Sequence, residues 1–177
     1  VKVFRHADPR FPFLWEGTAQ PPARWHGPGE GPVHYFADTP AGAWVEFLRH
    51  EEIREVEDLK GVRRALWLVE VASPPRSRPS LPEATLTGGL DTYAECQAEA
   101  ARLRSRGAKG LLAPSAALRE RERRGWKVDG GLQEGPERDG QVLVLFGHRP
   151  DLLGWRIVDQ GHPPLEAMAQ VRHFDAF

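Results

Sequence analysis

The sequence predicts an α+β fold with mixed or antiparallel strand pairing, and three observations carry that expectation. Short β-compatible runs recur along the whole chain. Only two strong helical patterns interrupt them. The regular strand–helix alternation of a doubly wound parallel sheet is missing, and with it any GxGxxG or GxxxxGKS/T phosphate loop. A phosphate ligand would therefore have to be held by arginines.

The elements follow in order. Lys2 to Arg5 alternates into a short strand. Pro9, Pro12, Gly17, Pro21 and Pro22 then impose an irregular segment to about Arg24, ordered by Phe11, Phe13 and Trp15. A Gly/Pro turn, His26 to Pro32, leads into the strand Val33 to Ala37, with glycine supplying positive φ and proline fixing its own. Thr39 before Pro40 is an N-cap with proline at the first helical position, and the helix continues to about His50. Leu66 to Val71 predicts a strand that feeds a proline-rich crossing loop, Ser73 to Pro82. Thr92 with Glu95 has capping-box spacing. It opens a helix of about four turns carrying Cys96, Ala100 and Leu103, with Gly107 just past its end. Gly110 to Ala113 predicts a buried strand stopping at Pro114-Ser115. The charge run Arg119 to Arg124 predicts a solvated helix face. A turn at Gly130-Gly131, strands at Val142 to Phe146 and Trp155 to Val158, and a short helix from Leu165 to Arg172 complete the chain.

Composition narrows the function classes. A chain of 177 residues predicts one domain, residues 1–177, burying roughly 70% of its unfolded surface. Apolar residues at 40% and charged residues at 28% exclude the composition of a disordered chain. With 24 Lys+Arg against 25 Asp+Glu there is no global attraction to nucleic acid or anionic lipid. The longest apolar stretches fall far short of the roughly 20 residues of a membrane span, and the start resembles no signal peptide. The expectation is a cytoplasmic protein. One cysteine, Cys96, permits no internal disulfide and predicts an inert buried thiol. Seven histidines show no HExxH or other metal-ligand spacing, so no metal is expected.

The segment from Arg24 to Glu46 stands out. Arg24, Tyr35 and Glu46 are each eleven residues apart, on a turn, a strand and a helix. Glu46 lies in the run Ala-Trp-Val-Glu-Phe-Leu, where a carboxylate without a partner would be poorly hydrated. Residue pattern alone leaves alternatives open. Glu46 is either functional, or paired structurally with an arginine, or on the exposed side of the helix. Arg24 is a ligand contact or a surface salt bridge, and Tyr35 is a site residue or a core aromatic.

The order of four blocks resembles the RES domain family. They read Val-Phe-Arg5, then Ala-Arg24-Trp25-His26-Gly-Pro-Gly, then Gly-Pro-Val-His-Tyr35-Phe-Ala-Asp-Thr-Pro40 with Ala-Gly-Ala-Trp-Val-Glu46, and downstream Gly110-Leu-Leu-Ala-Pro-Ser115. The clear resemblance covers residues 1–117. Beyond it, Arg119 to Gly125 replaces the family's Asn-rich continuation, and Ala23 stands where glycine is usual. The resemblance implies an ADP-ribosyltransferase-like fold and cleavage of NAD⁺ with release of nicotinamide, by hydrolysis or phosphorolysis. NAD⁺ is then substrate, and no cofactor is implied. The family includes toxins of bacterial toxin–antitoxin pairs, so an antitoxin protein is an implied partner. Carried over by residue, Arg24, Tyr35, Glu46 and Ser115 form the implied active site, and Arg5 is a further NAD⁺ contact. Trp25 and His26 stay open.

The implied chemistry suits these residue types. Nicotinamide leaves as a neutral base, so the main demand is stabilisation of an oxocarbenium-like ribose, which a carboxylate such as Glu46 supplies. Arg24, reinforced by Arg5, suits a pyrophosphate. Tyr35 suits stacking on nicotinamide, and Ser115 a hydrogen bond to its amide or the ribose. Two other readings remain: ADP-ribosyl transfer to a protein, and a non-enzymatic module docking nucleic acid or a partner through Arg63-Arg64 or Arg119 to Arg124. Near-neutral charge counts against the last.

Overall fold

The structure, a computed structural model, describes residues 1–17, 19–122 and 124–174. Six strands form one fully antiparallel sheet: β1 (Lys2–Ala7), β2 (Val33–Ala37), β3 (Arg64–Glu70), β4 (Gly110–Pro114), β7 (Gln141–Phe146) and β8 (Leu153–Gly161), in the order β4-β7-β2-β1-β3-β8. A hairpin of β5 (Trp126–Val128) and β6 (Leu132–Glu134) stands apart from it. The helices are α1 (Pro40–His50), α2 (Glu83–Thr87), α3 (Tyr93–Ser105) and α4 (Leu165–Gln170). The α+β class and the antiparallel pairing agree with the sequence.

Period-two alternation divides the sheet into two buried faces. On one face Val33, Leu111, Val142 and Val144 pack against Cys96, Ala100 and Leu103 of α3, with Trp25 closing the cluster. Ala37 and Leu66 meet Ala43 and Trp44 of α1 on the same side. On the opposite face Val3, Phe36, Val69, Leu143 and Leu145 are covered by Phe13 and Leu14 of the irregular N-terminal segment. Side chains of this size contribute about 1.5–3 kcal/mol each when fully buried.

The sheet has a seam. β1 pairs with β3 over six consecutive positions and β2 with β7 over five, whereas β1 and β2 register only at Phe4↔Ala37. Beyond that pair the two strands part, and the opening becomes the cavity described below. Helix α1 lies over the seam, because Ala43 and Trp44 touch Ala37 of β2, Leu66 of β3 and Phe4 of β1.

Local signals in the sequence work as physical chemistry requires. The Thr39 hydroxyl accepts from the Gly42 amide at 3.2 Å, capping α1 with Pro40 in its first turn. Gly107 has φ +83, and the amides of Gly107 and Ala108 return to the carbonyls of Arg104 and Leu103, closing α3 in a Schellman turn. The proline-rich loop seals an edge of the sheet: the Leu112 amide of β4 donates to Ser77 O at 2.9 Å.

Two local expectations are corrected. The Thr92–Glu95 capping box does not form, because Thr92 is itself helical, in a 3₁₀ turn, and its hydroxyl donates to Gly89 O at 2.8 Å. The run Arg119 to Arg124 is not a helix face. Its described residues form a turn after the isolated bridge Leu118↔Val171, and Arg124 pairs with Glu134 and Glu137, each at 2.7 Å. Position 123 of that run lies outside the described residues. Helix α2, a 3₁₀ turn at Val56–Gly61 and the β5–β6 hairpin were not anticipated.

Candidate active site

A cavity of about 670 Å³ opens through the seam, within the range of about 300–1,000 Å³ typical of small-molecule and cofactor sites. Its walls come from both faces of the sheet: Tyr35, Ala37 and Glu46 from the helix side, and Arg5, Phe36 and Phe13 from the loop side. Of the five residues implied by the sequence, Arg5, Arg24, Tyr35 and Glu46 line it.

Ser115 does not reach the cavity wall. It is buried just past β4 and acts on Glu46 from behind, its hydroxyl donating to Glu46 Oε1 at 2.9 Å. Ser115 Oγ itself accepts from the amides of Ala117 and Leu118, at 3.3 and 3.2 Å. Three partners fix this hydroxyl, so Ser115 positions the carboxylate. On the other side His50, one helical turn along α1, places Nε2 at 3.8 Å from Glu46 Oε2.

Arg24 is 7% exposed and anchors the segment between α2 and α3. Its NH1 donates to Thr85 O at 3.1 Å and Thr92 Oγ1 at 2.9 Å, and its NH2 donates to Gly88 O at 2.6 Å. The guanidinium lies over the Tyr93 ring at 4.7 Å. Arg49, buried on the same helix as Glu46, donates to the same Gly88 carbonyl at 2.8 Å and to Ala116 O. Burial, with the charge of Arg24 beside it, lowers the pKa of Arg49. Two guanidinium groups that line the cavity thus converge on one carbonyl.

Tyr35 lines the cavity, and its hydroxyl is committed to the neighbouring turn. The oxygen accepts from the Trp25 amide at 3.1 Å, and His26 Nδ1 lies 2.9 Å away. Because His26 Nε2 lies 2.9 Å from Pro21 O, which only accepts, Nε2 carries the proton and Tyr35 donates to Nδ1. Burial pushes the Tyr35 phenol above its ordinary range and lowers the His26 imidazole. Both groups are neutral, and both brace the Arg24–Trp25 turn.

The sequence missed Arg49, His50, Arg64 and Tyr93, all of which line the cavity. Arg49 and His50 carried a usable signal, standing three and four positions after Glu46 and therefore on the same side of the helix. Tyr93 carried none, since only the fold brings α3 to Arg24. The Cys96 thiol is buried and its pKa is raised by burial, in keeping with an inert role. Among the described residues no group of three or more His, Cys, Asp or Glu side chains is placed to hold a metal ion, and no helix is long and apolar enough to cross a membrane.

No curated protein matches the chain. Among solved structures, the toxin–antitoxin complex MbcT–MbcA of M. tuberculosis shares the fold, with a TM-score of 0.56 at 20% identity over 89% of this chain and 84% of that one. The RES domain family model matches residues 2–166, past the point near Ala117 where the motif resemblance ends. With nearly the whole chain inside that match, the protein belongs to the RES domain family.

Proposed function

We propose that the protein cleaves NAD⁺ at the bond between nicotinamide and ribose. The observation that carries this reading is the Glu46 carboxylate, fixed by Ser115 on the wall of a cavity otherwise rich in arginine and aromatic side chains. In that setting Glu46 faces C1′ and the 2′-hydroxyl of the nicotinamide ribose. As the C1′–N bond breaks, its electron pair leaves with nicotinamide, and the carboxylate stabilises the positive charge spreading over C1′ and the ring oxygen. An acceptor oxygen then bonds C1′; with water as acceptor, its proton passes to solvent. Preorganisation is the advantage of the Ser115 bond, since a carboxylate already oriented needs no rearrangement when the charge develops.

Arg24 and Arg49 suit the pyrophosphate, which would replace or share the Gly88 carbonyl as their acceptor, and charge-assisted hydrogen bonds of this kind contribute about 1.5–3 kcal/mol each. Tyr35 and Tyr93 supply faces for a ring to stack on. In this reading NAD⁺ is the substrate and no separate cofactor takes part. The likeness of fold to the toxin–antitoxin complex supports a cellular role as the toxin of such a pair, held in check by an antitoxin protein.

Incubating the purified protein with NAD⁺ and measuring free nicotinamide tests the reading directly. Release above a Glu46→Gln control is expected. Its absence, in a folded protein with a saturable NAD⁺ site, would reassign the cavity to binding alone.

A further inference from the structure

Two histidines line the cavity among the described residues, and the fold leaves them different freedom. His6, on β1, has the Arg64 NH2 group 3.1 Å from its Nδ1. Arg64 has only protons to offer, so that ring accepts and is neutral. Burial, then the charges of Arg64, Arg5 and His50, hold it well below the ordinary histidine range. His6 is therefore closed to proton traffic. His50 is the last residue of α1, one turn after Glu46 and on its side of the helix. Its side chain is about half exposed, so solvent reaches the ring directly.

The two oxygens of the Glu46 carboxylate have different neighbours. Oε1 accepts from Ser115, whereas Oε2 lies 3.8 Å from His50 Nε2. That separation exceeds a direct hydrogen bond, yet an oxygen placed between the two atoms reaches both at about 2.7–3.0 Å. In a neutral imidazole with its proton on Nδ1, Nε2 is an acceptor, as Oε2 is. What fits between two acceptors is an oxygen that carries protons, and water has one for each. No other charged group lining the cavity competes for this part. Arg49 is committed to Gly88 O and Ala116 O, and Asp8 accepts from Arg10. Arg5, Arg24 and Arg64 are guanidinium groups, which cannot take a proton. Glu51, which caps the C-terminus of α1 beside His50, is exposed.

We infer that His50 is the proton acceptor for the attacking oxygen: it holds a water against Glu46 Oε2 and takes a proton from it as the oxygen bonds C1′. The role rests on the NAD⁺-cleaving function proposed above. As the C1′–N bond breaks, its electron pair leaves with nicotinamide. The water oxygen bonds C1′, and one water proton moves to Nε2. The imidazolium, stabilised by the adjacent Glu46 carboxylate, returns that proton to solvent through its exposed ring. The products are ADP-ribose and nicotinamide, and the enzyme is restored.

The test is nicotinamide release by the wild type, His50→Ala and His50→Gln, with NAD⁺ varied. A positioned general base contributes roughly 10²–10⁴-fold. His50→Ala is therefore expected to lose about 10²-fold or more in kcat, with KM for NAD⁺ little changed. Its melting temperature should stay close to that of the wild type, because the side chain is half exposed. Free imidazole is expected to restore part of the lost turnover to His50→Ala, saturably and better as the pH rises, and to leave Glu46→Gln unchanged. Should imidazole fail to enter, the pH profile decides: kcat of the wild type falls toward acid pH, and His50→Gln loses that limb. A lower kcat with the limb retained overturns the role. So does wild-type kcat in His50→Ala, or a raised KM alone, as a mere contact to a ribose hydroxyl would give; both leave the NAD⁺-cleaving function standing. A folded wild type that binds NAD⁺ and releases no nicotinamide overturns that function and the role of His50 with it.

Discussion

Ser115 and Glu46 are 69 positions apart in the chain, yet the Ser115 hydroxyl donates to Glu46 Oε1 at 2.9 Å. The bond joins the end of β4 to the middle of α1, and the two amides that Ser115 accepts from prevent its hydroxyl oxygen from drifting. A carboxylate braced in this way can be tested apart from its brace.

Glu46→Gln keeps volume, helix propensity and an oxygen acceptor for Ser115. We expect unchanged or higher thermal stability and nearly intact NAD⁺ affinity, with nicotinamide release lower by about 10²–10³ in kcat. Melting curves and turnover measured on the same preparation check both halves. A stable variant with wild-type turnover would remove Glu46 from the mechanism.

Ser115→Ala removes the brace and leaves the amides of Ala117 and Leu118 without their acceptor. The expected cost is about 1–3 kcal/mol of stability, together with a fall of roughly 10-fold in kcat and little change in KM for NAD⁺. A purely structural serine would lose stability with kcat per folded molecule unchanged, so denaturation and steady-state kinetics together decide.

Arg24→Ala strips Thr85 O and Thr92 Oγ1 of the Arg24 donor and leaves Gly88 O to Arg49 alone. A loss of roughly 1–3 kcal/mol is expected, as when buried acceptors lose a charged donor, with a raised KM for NAD⁺ in the fraction that folds. Arg24→Lys restores the charge without the fork and should recover only part of each. An Arg24→Ala protein of wild-type stability would show that the Gly88 contacts hold nothing in place.

The acid limb of stability follows from the histidines. Burial lowers the pKa of His6, His26 and His34, so each binds a proton less readily in the fold than in the unfolded chain. Where the unfolded state binds more protons, stability rises with pH. Stability is therefore expected to be complete above the unfolded histidine value of about 6.5 and to fall as the pH drops through it toward the lower folded values. Melting temperature between pH 7.5 and 5 checks this. His26→Gln should flatten the slope, because protonation of His26 breaks its bond from Tyr35.

Legibility differed by the range of the interaction concerned. The cap at Thr39-Pro40, the helix-ending glycine at Gly107 and the β-compatible run Val33 to Ala37 are settled within a few residues, and the sequence read them correctly. Glu46 was visible for a similar reason: an acid inside an apolar helical run needs an explanation. Thr92 misled because its spacing to Glu95 is a local signal, whereas its hydroxyl is committed to Gly89 and to Arg24, 68 positions away. The alternating charges after Leu118 suited a helix on paper, yet Arg121 pairs with Glu137, Arg124 pairs with Glu134 and Glu137, and a β-bridge precedes the run. The bond from Ser115 to Glu46 could not be read from the sequence, since spacing cannot say which side of a carboxylate a hydroxyl will occupy. Arg64 was read as half of a surface doublet, because strand register alone decides that it faces inward.

The single β1–β2 register pair at Phe4↔Ala37 makes the sheet two leaves on one hinge. The leaf of β4, β7 and β2 and the leaf of β1, β3 and β8 are each laced by continuous ladders, so bending concentrates where the lacing is thinnest. Helix α1 straddles that line and carries Glu46, while Arg5 and Arg64 ride on the second leaf. Any rocking of the leaves therefore changes the gap between carboxylate and guanidinium groups as well as the width of the mouth. Under the function proposed above, ligand entry and alignment of the reacting groups become one mechanical coordinate, and amide exchange at the hinge pair is where that coordinate would be heard.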